Sequence, residues 1–162
     1  MSVAGITETV QYLTFKLADE IFAFDVAKVR EILELVSITK VPQTPDYMRG
    51  VINLRGSVVP VIDLRLSFGM QSSEQTVNTC IIVVEVSLDG ETIVLGILAD
   101  SVQEVVEMEP NQIEPPPKLG TRLNTEFIKG MGKVDNDFVM ILEIDKVFSA
   151  KQLSELETSA IQ

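Results

Sequence analysis

The sequence predicts a mainly β protein made of two small barrels related by an internal repeat. Three observations carry this. Short runs alternate apolar and polar residues at every second position, Gly, Pro and Asp-Gly turns punctuate them, and the pattern of the first half returns in the second. In the first half a hairpin precedes Val29-Arg30-Glu31-Ile32, a proline segment and Tyr47-Met48-Arg49-Gly50-Val51. In the second a hairpin precedes Val102-Gln103-Glu104-Val105, Pro115-Pro116-Pro117 and Phe127-Ile128-Lys129-Gly130-Met131. The offset is 73 residues at the first of these motifs and 80 at the glycine, too long for a solenoid unit. Each half carries about five short strands, and closing them into barrels removes the edges they would otherwise expose. The first barrel is expected over roughly 10–68 and the second over roughly 78–136, with a C-terminal strand and helices closing the fold. A flexible N-terminus over 1–9 and a C-terminal helix or tail over 151–162 complete the expectation.

Taken in order, Val10 to Leu17 and Ile21 to Val26 flank Ala18-Asp19-Glu20 as a hairpin, with Leu13, Phe15 and Leu17 forming one buried face. Asp25 then caps a predicted amphipathic helix on which Val26, Val29, Ile32 and Leu33 share a face. Strands follow at Val36 to Val41, Gly50 to Leu54 and Val58 to Leu64, separated by Pro42, Pro45 and the turn Arg55-Gly56-Ser57. Pro60 lacks an N–H for the ladder, so its strand is expected at an edge or bulged there. Residues 69–78 read as a connection between the halves. Thr79 to Ser87 and Glu91 to Leu98 form a second hairpin around Leu88-Asp89-Gly90; the first of these strands is apolar on both faces and therefore central. Leu153 and Leu156 lie three apart, on one face of a C-terminal helix.

The composition excludes whole classes of chemistry. Of 162 residues, 46% are hydrophobic and 23% charged, an ordinary balance for a folded chain. With no His, the Ser-His-Asp, Cys-His and His-metal sites are ruled out. The single Cys80 lies in an apolar run, the setting of a buried thiol in a reducing compartment and not of a nucleophile. The carboxylate pairs Asp135/Asp137 and Glu143/Asp145 have no EF-hand spacing, and no glycine-rich phosphate loop occurs. Thirteen Lys and Arg against 24 Asp and Glu leave a net charge of −11, which disfavours nucleic acid and anionic lipid surfaces as partners. No signal-like segment opens the chain and no run approaches a membrane span, so a cytoplasmic protein that works by binding other proteins is expected.

The segment Gly50-Val-Ile-Asn-Leu-Arg-Gly56, continuing through Val58-Val59-Pro60-Val61-Ile62-Asp63-Leu64-Arg65, resembles the signature of the CheW-like domains of bacterial chemotaxis. Ile38-Thr39-Lys40-Val41-Pro42, Gly130-Met131-Gly132-Lys133 and Ile144-Asp145-Lys146-Val147-Phe148 extend the resemblance over about residues 10–150. It implies two five-stranded barrels of SH3-like type within a single domain. The residues outside it cannot hold a kinase or a receiver domain, so a free coupling protein is implied: no enzyme, without cofactor or metal. Its partners would be the cytoplasmic tips of chemoreceptors and the regulatory domain of the histidine kinase CheA, and it would help build the signalling array at the membrane without entering it.

The resemblance also assigns residues. Arg55 would act in signalling, with Glu31 as its salt-bridge partner and Glu34 as a possible substitute. Leu13, Val26, Val29 and Ile32 would line a groove for a receptor helix tip, with Val102 and Val105 as their second-half counterparts and Arg49 reaching acidic receptor residues. The stiff loop around Ile113, Glu114, Pro115 and Leu119 would contact the kinase. The alternatives are a CheW-like adaptor of a system driving pili or another output, and a barrel that binds a small molecule or acts through carboxylates alone, which requires an enclosed cavity with convergent acids.

Overall fold

The computed structural model describes residues 9–67, 70, 75–88, 90–115 and 127–147. The expected helix over 151–162, the segment 1–8 and Leu119 lie outside them. The chain is mainly β, as expected, in two sheets. Strands β1 (Val10–Leu17), β2 (Glu20–Asp25) and β3 (Val29–Glu34) are followed by β4 (Met48–Leu54), β5 (Ser57–Asp63) and the one-turn helix α1 (Leu64–Ser67). The second half repeats this order with β6 (Cys80–Leu88), β7 (Glu91–Ala99), β8 (Ser101–Met108), the short β9 (Ile113–Glu114), β10 (Ile128–Val134), β11 (Asp137–Leu142) and α2 (Ile144–Val147).

The sheets do not follow the halves. One runs β8-β1-β2-β11-β10-β9 and the other β3-β6-β7-β5-β4, so each takes its central hairpin from the opposite half of the chain. The joints are two parallel ladders, β11 on β2 and β5 on β7, where every other pairing is antiparallel. The contiguous barrels expected over 10–68 and 78–136 are thus corrected: the hairpins are exchanged. The reason lies in β1, β2, β6 and β7, which are buried on both faces and need covering on both sides. Exchange places one face of each hairpin inside a barrel and the other in a shared layer.

Three apolar clusters result. Tyr12, Ala23, Met108, Ile113, Val139 and Ile141 fill one barrel, and Ile52, Val59, Val61, Ile81, Val83 and Leu98 fill the other. Between the barrels lies the largest cluster, built on Leu13, Phe15, Phe22, Phe24, Ile82, Val84, Leu95 and Ile97, with Phe15 stacked on Phe24 at 4.7 Å between ring centroids. Each fully buried side chain of this size contributes roughly 1.5–3 kcal/mol. Both sheets close on themselves through the chain leaving their edge strand. Beyond β3, Thr39 exchanges two 2.9 Å backbone hydrogen bonds with Val51 of β4; beyond β8, β9 pairs with β10.

Other expectations change locally. Asp25 does cap, its Oδ1 accepting the Ala27 N–H at 2.9 Å, but only a 3₁₀ turn at Val26–Lys28 follows, and the predicted helix is strand β3. Its helix-like spacing comes from a β-bulge: Val29 faces Val84 and Glu31 faces Val83, so one extra residue resets the phase and brings Val29 and Ile32 to the same side. Of the strand expected at Val36 to Val41, only the Thr39 bridge forms. Pro60 lies in an inner strand, at a position where only β4 is paired, because the ladder with β7 begins at Val61. Cys80 is buried as expected, and burial pushes its thiol pKa up.

Gly50 marks the tightest approach. It has φ +146°, and a Cβ there would run into the Thr39 carbonyl that closes the barrel. Gly50→Ala is expected to lower the unfolding free energy by about 2–4 kcal/mol in chemical denaturation, whereas Gly132→Ala, whose Cβ meets only the movable end of Met108, costs under about 1 kcal/mol.

Candidate functional site

The signature segment folds as the β4-β5 hairpin. Leu54 pairs with Ser57, leaving Arg55 and Gly56 as a two-residue turn at φ 51° and 88°, the backbone of a type I′ hairpin. The Asn53 carboxamide oxygen accepts the Gly56 N–H at 2.8 Å and locks the turn. Arg55 therefore sits in the left-handed region that a long side chain adopts only at a cost of about 1–2 kcal/mol. Its side chain is 74% exposed, and the guanidinium lies 2.9 Å from Glu31 on β3, beside a surface hollow lined by Val59, Val83 and Val94. The ion pair between Glu31 and Arg55 thus forms, and Glu34 is not its acid. An exposed pair adds at most about 1 kcal/mol to stability. Its effect is to hold a cation at a fixed place on the surface.

The apolar candidates separate into core and surface. Leu13, at 4% exposed, belongs to the inter-barrel core and cannot meet a partner directly, because β1 is an inner strand covered on both faces. Val26, Val29 and Val102 pack half-buried on the same core, while Ile32 and Val105 are 46% and 51% exposed. Val105 stands opposite Leu13 and Val102 opposite Phe15; Ile32 stands opposite Ile82 and Val29 opposite Val84. Two repeat-related strips result, each running from the inter-barrel core to an exposed aliphatic on an edge strand.

Arg49 is part-exposed and lies near an acid of its own chain. Its Nη1 lies 3.9 Å from Asp63 Oδ2, and Asp63 is almost fully buried. Asp63 Oδ1 also accepts the Arg65 N–H at 3.0 Å, yet burial outweighs these contacts and raises the carboxyl pKa. In the proline loop, Ile113 is fully buried in its barrel, because β9 is the strand that closes that sheet, so it is removed from the contact set. Glu114 and Pro115 are exposed; Leu119 lies outside the described residues.

Two groups escape sequence reasoning. Asp145 on α2 accepts from Lys28 Nζ at 2.9 Å and from the Ser87 N–H at 2.8 Å, joining α2 to the 3₁₀ turn after β2 and to β6. Asp100, between β7 and β8, accepts from the Ala18 N–H at 2.7 Å and pairs with Arg65 on α1. Arg65 and Asp145 are related by the 80-residue offset, so the two clasps occupy similar places with their charges reversed. The repeat was the one signal available, and it could not pair residues 117 apart. Among the described residues no group of three or more His, Cys, Asp or Glu side chains is placed to hold a metal ion.

Two filled barrels, closed at their edges and carrying an exposed turn and apolar strips, offer contact surface: the makeup of a paired-barrel binding domain. The comparisons with known proteins are specific. The CheW-like domain family matches residues 11–152, and the chain belongs to that family. The Chemotaxis protein CheW of Klebsiella aerogenes is 34% identical over 158 residues, which cover 98% of this chain and 93% of that one. The Chemotaxis protein CheW of Thermotoga maritima is 30% identical, over 95% and 97% of the two chains. The crystal structure of scaffolding protein TtCheW from Thermoanaerobacter tengcongensis superposes with a TM-score of 0.77 at 36% identity, over 88% of this chain and 90% of that one.

Arg55→Asn is expected to keep stability within about 1 kcal/mol of wild type in urea denaturation, because relief of the left-handed strain offsets loss of an exposed pair. A larger loss would make the pair a stability element. Asp63 titrates with a raised pKa, so its contribution to stability is present below about pH 4 and is lost as pH rises through the folded value. Asp63→Asn, which still accepts the Arg65 N–H, is expected to remove that part of the decline in a pH series of melting temperatures.

Proposed function

We propose that this chain is a chemotaxis scaffold that couples the cytoplasmic tips of chemoreceptors to the histidine kinase CheA and takes part in building the signalling array. The single observation that carries the reading is the β4-β5 turn. The family's most specific residues form it, and they leave a strained, exposed Arg55 held by Glu31, an arrangement with little value for stability and a clear one for presenting charge. The relatives' names as chemotaxis and scaffolding proteins support the same reading. The receptor-facing set is Ile32 and Val105, backed by Val26, Val29 and Val102, with Arg49 beside the signature. The kinase-facing set is Glu114 and Pro115 with Leu119. Several modest contacts of this kind gain from effective concentration in an array. Such a protein works in the cytoplasm at the membrane face; no helix among the described residues is long and apolar enough to cross a membrane. A small-molecule barrel has less support, since side chains fill both barrel interiors.

Reconstitution tests the reading. With a cognate receptor signalling fragment, CheA and ATP, wild-type protein is expected to co-sediment with both and to raise ATP turnover. Arg55→Ala is expected to fold and assemble but to lose most of the activation. Unchanged turnover and no co-sedimentation with wild-type protein would sink the proposal.

A further inference from the structure

We propose that Thr14 is a positioning residue for receptor binding: its hydroxyl seals a β-bulge in β8 and thereby holds Val105 on the partner-facing side. The proposal deepens the receptor reading above and rests on it.

In the ladder between β1 and β8, Leu13 faces Val105 and Phe15 faces Val102, so Gln103 and Glu104 together stand opposite Thr14. A bulge of this kind interrupts the ladder and leaves backbone groups needing other partners. Thr14, 3% exposed, supplies them: Oγ1 donates to the Glu104 carbonyl at 2.8 Å and accepts the Glu104 N–H at 3.1 Å. The bulge matters because residues three apart on a regular strand point to opposite faces. Here Val102 and Val105 stand opposite Phe15 and Leu13, which share one face of β1, so both valines lie on that side. A one-residue slip of β8 would restore a regular ladder and turn Val105 away.

The other barrel is fixed differently, which is what singles out Thr14. The β3 bulge keeps Glu31 paired with Val83, and the Glu31 carboxylate is tied to Arg55. Seventy-three residues on, Glu31 becomes Glu104; eighty residues on, Arg55 becomes Asp135, a like charge that cannot make the pair. Where the turn arginine is missing, the bulged strand is held from inside by a buried hydroxyl.

The test compares wild type, Thr14→Val and Thr14→Ser for binding to a receptor signalling fragment and, separately, to the CheA regulatory domain, with amide exchange at Glu104 followed in each. Thr14→Val is expected to speed exchange at Glu104 and to weaken the receptor fragment about tenfold, with kinase binding unchanged and Thr14→Ser restoring wild-type behaviour. Equal receptor affinity of Thr14→Val and wild type overturns the proposal, as does a parallel loss of both partners, which marks general destabilisation. Should Thr14→Val fail to fold, Thr14→Ala removes the same hydroxyl and is held to the same outcomes. Wild type that binds no receptor fragment overturns the functional reading itself.

Discussion

The exchange of hairpins is the constraint on which the rest of the structure depends. Ladders β2-β11 and β5-β7 are the parallel joints that lend each central hairpin to a sheet otherwise built from the opposite half. Neither half can close a barrel without the other, and the apolar layer between the barrels is the largest of the three clusters. The exchange therefore makes one domain of what the repeat would otherwise make two. It also fixes how the surfaces of the two barrels stand relative to each other.

The clasps sharpen this orientation. Asp145 ties α2 to the 3₁₀ turn after β2 and to β6, Asp100 ties the β7–β8 junction to the β1–β2 turn and to α1, and their partly buried partners carry opposite arrangements of charge, Lys28 to α2 in one case and Arg65 from α1 in the other. A repeat with identical clasps would tolerate the wrong half in either place. Reversed polarity penalises that exchange, because it would set like charges together. The same departure from symmetry appears at the turns, where Arg55 answers Glu31 in one barrel and Asp135 stands in the other. The two barrels share a frame and present different faces.

Bulges link the frame to those faces. Each edge strand, β3 and β8, carries one, and each brings two aliphatics three apart onto the side of the inter-barrel core. One of each pair anchors the strand and the other emerges to the surface. This is also why the segment at Val26 to Leu33 reads as a helix: a bulge in a strand converts a two-residue period into a local spacing of three, which periodicity alone cannot tell from a helical turn.

The sequence by itself determined the β class, most strand positions, the repeat, the buried Cys80 and the cap at Asp25, because each rests on local alternation or turn chemistry within one segment; the Glu31–Arg55 pair was implied by the family resemblance alone. Tertiary structure alone decided which half each hairpin serves, that Leu13 and Ile113 are core while Ile32 and Val105 are surface, and which groups Thr14, Asp100 and Asp145 bind. Those outcomes depend on what covers the second face of a strand. That cover comes from residues tens of positions away in the chain, through contacts that leave no periodic trace in the sequence.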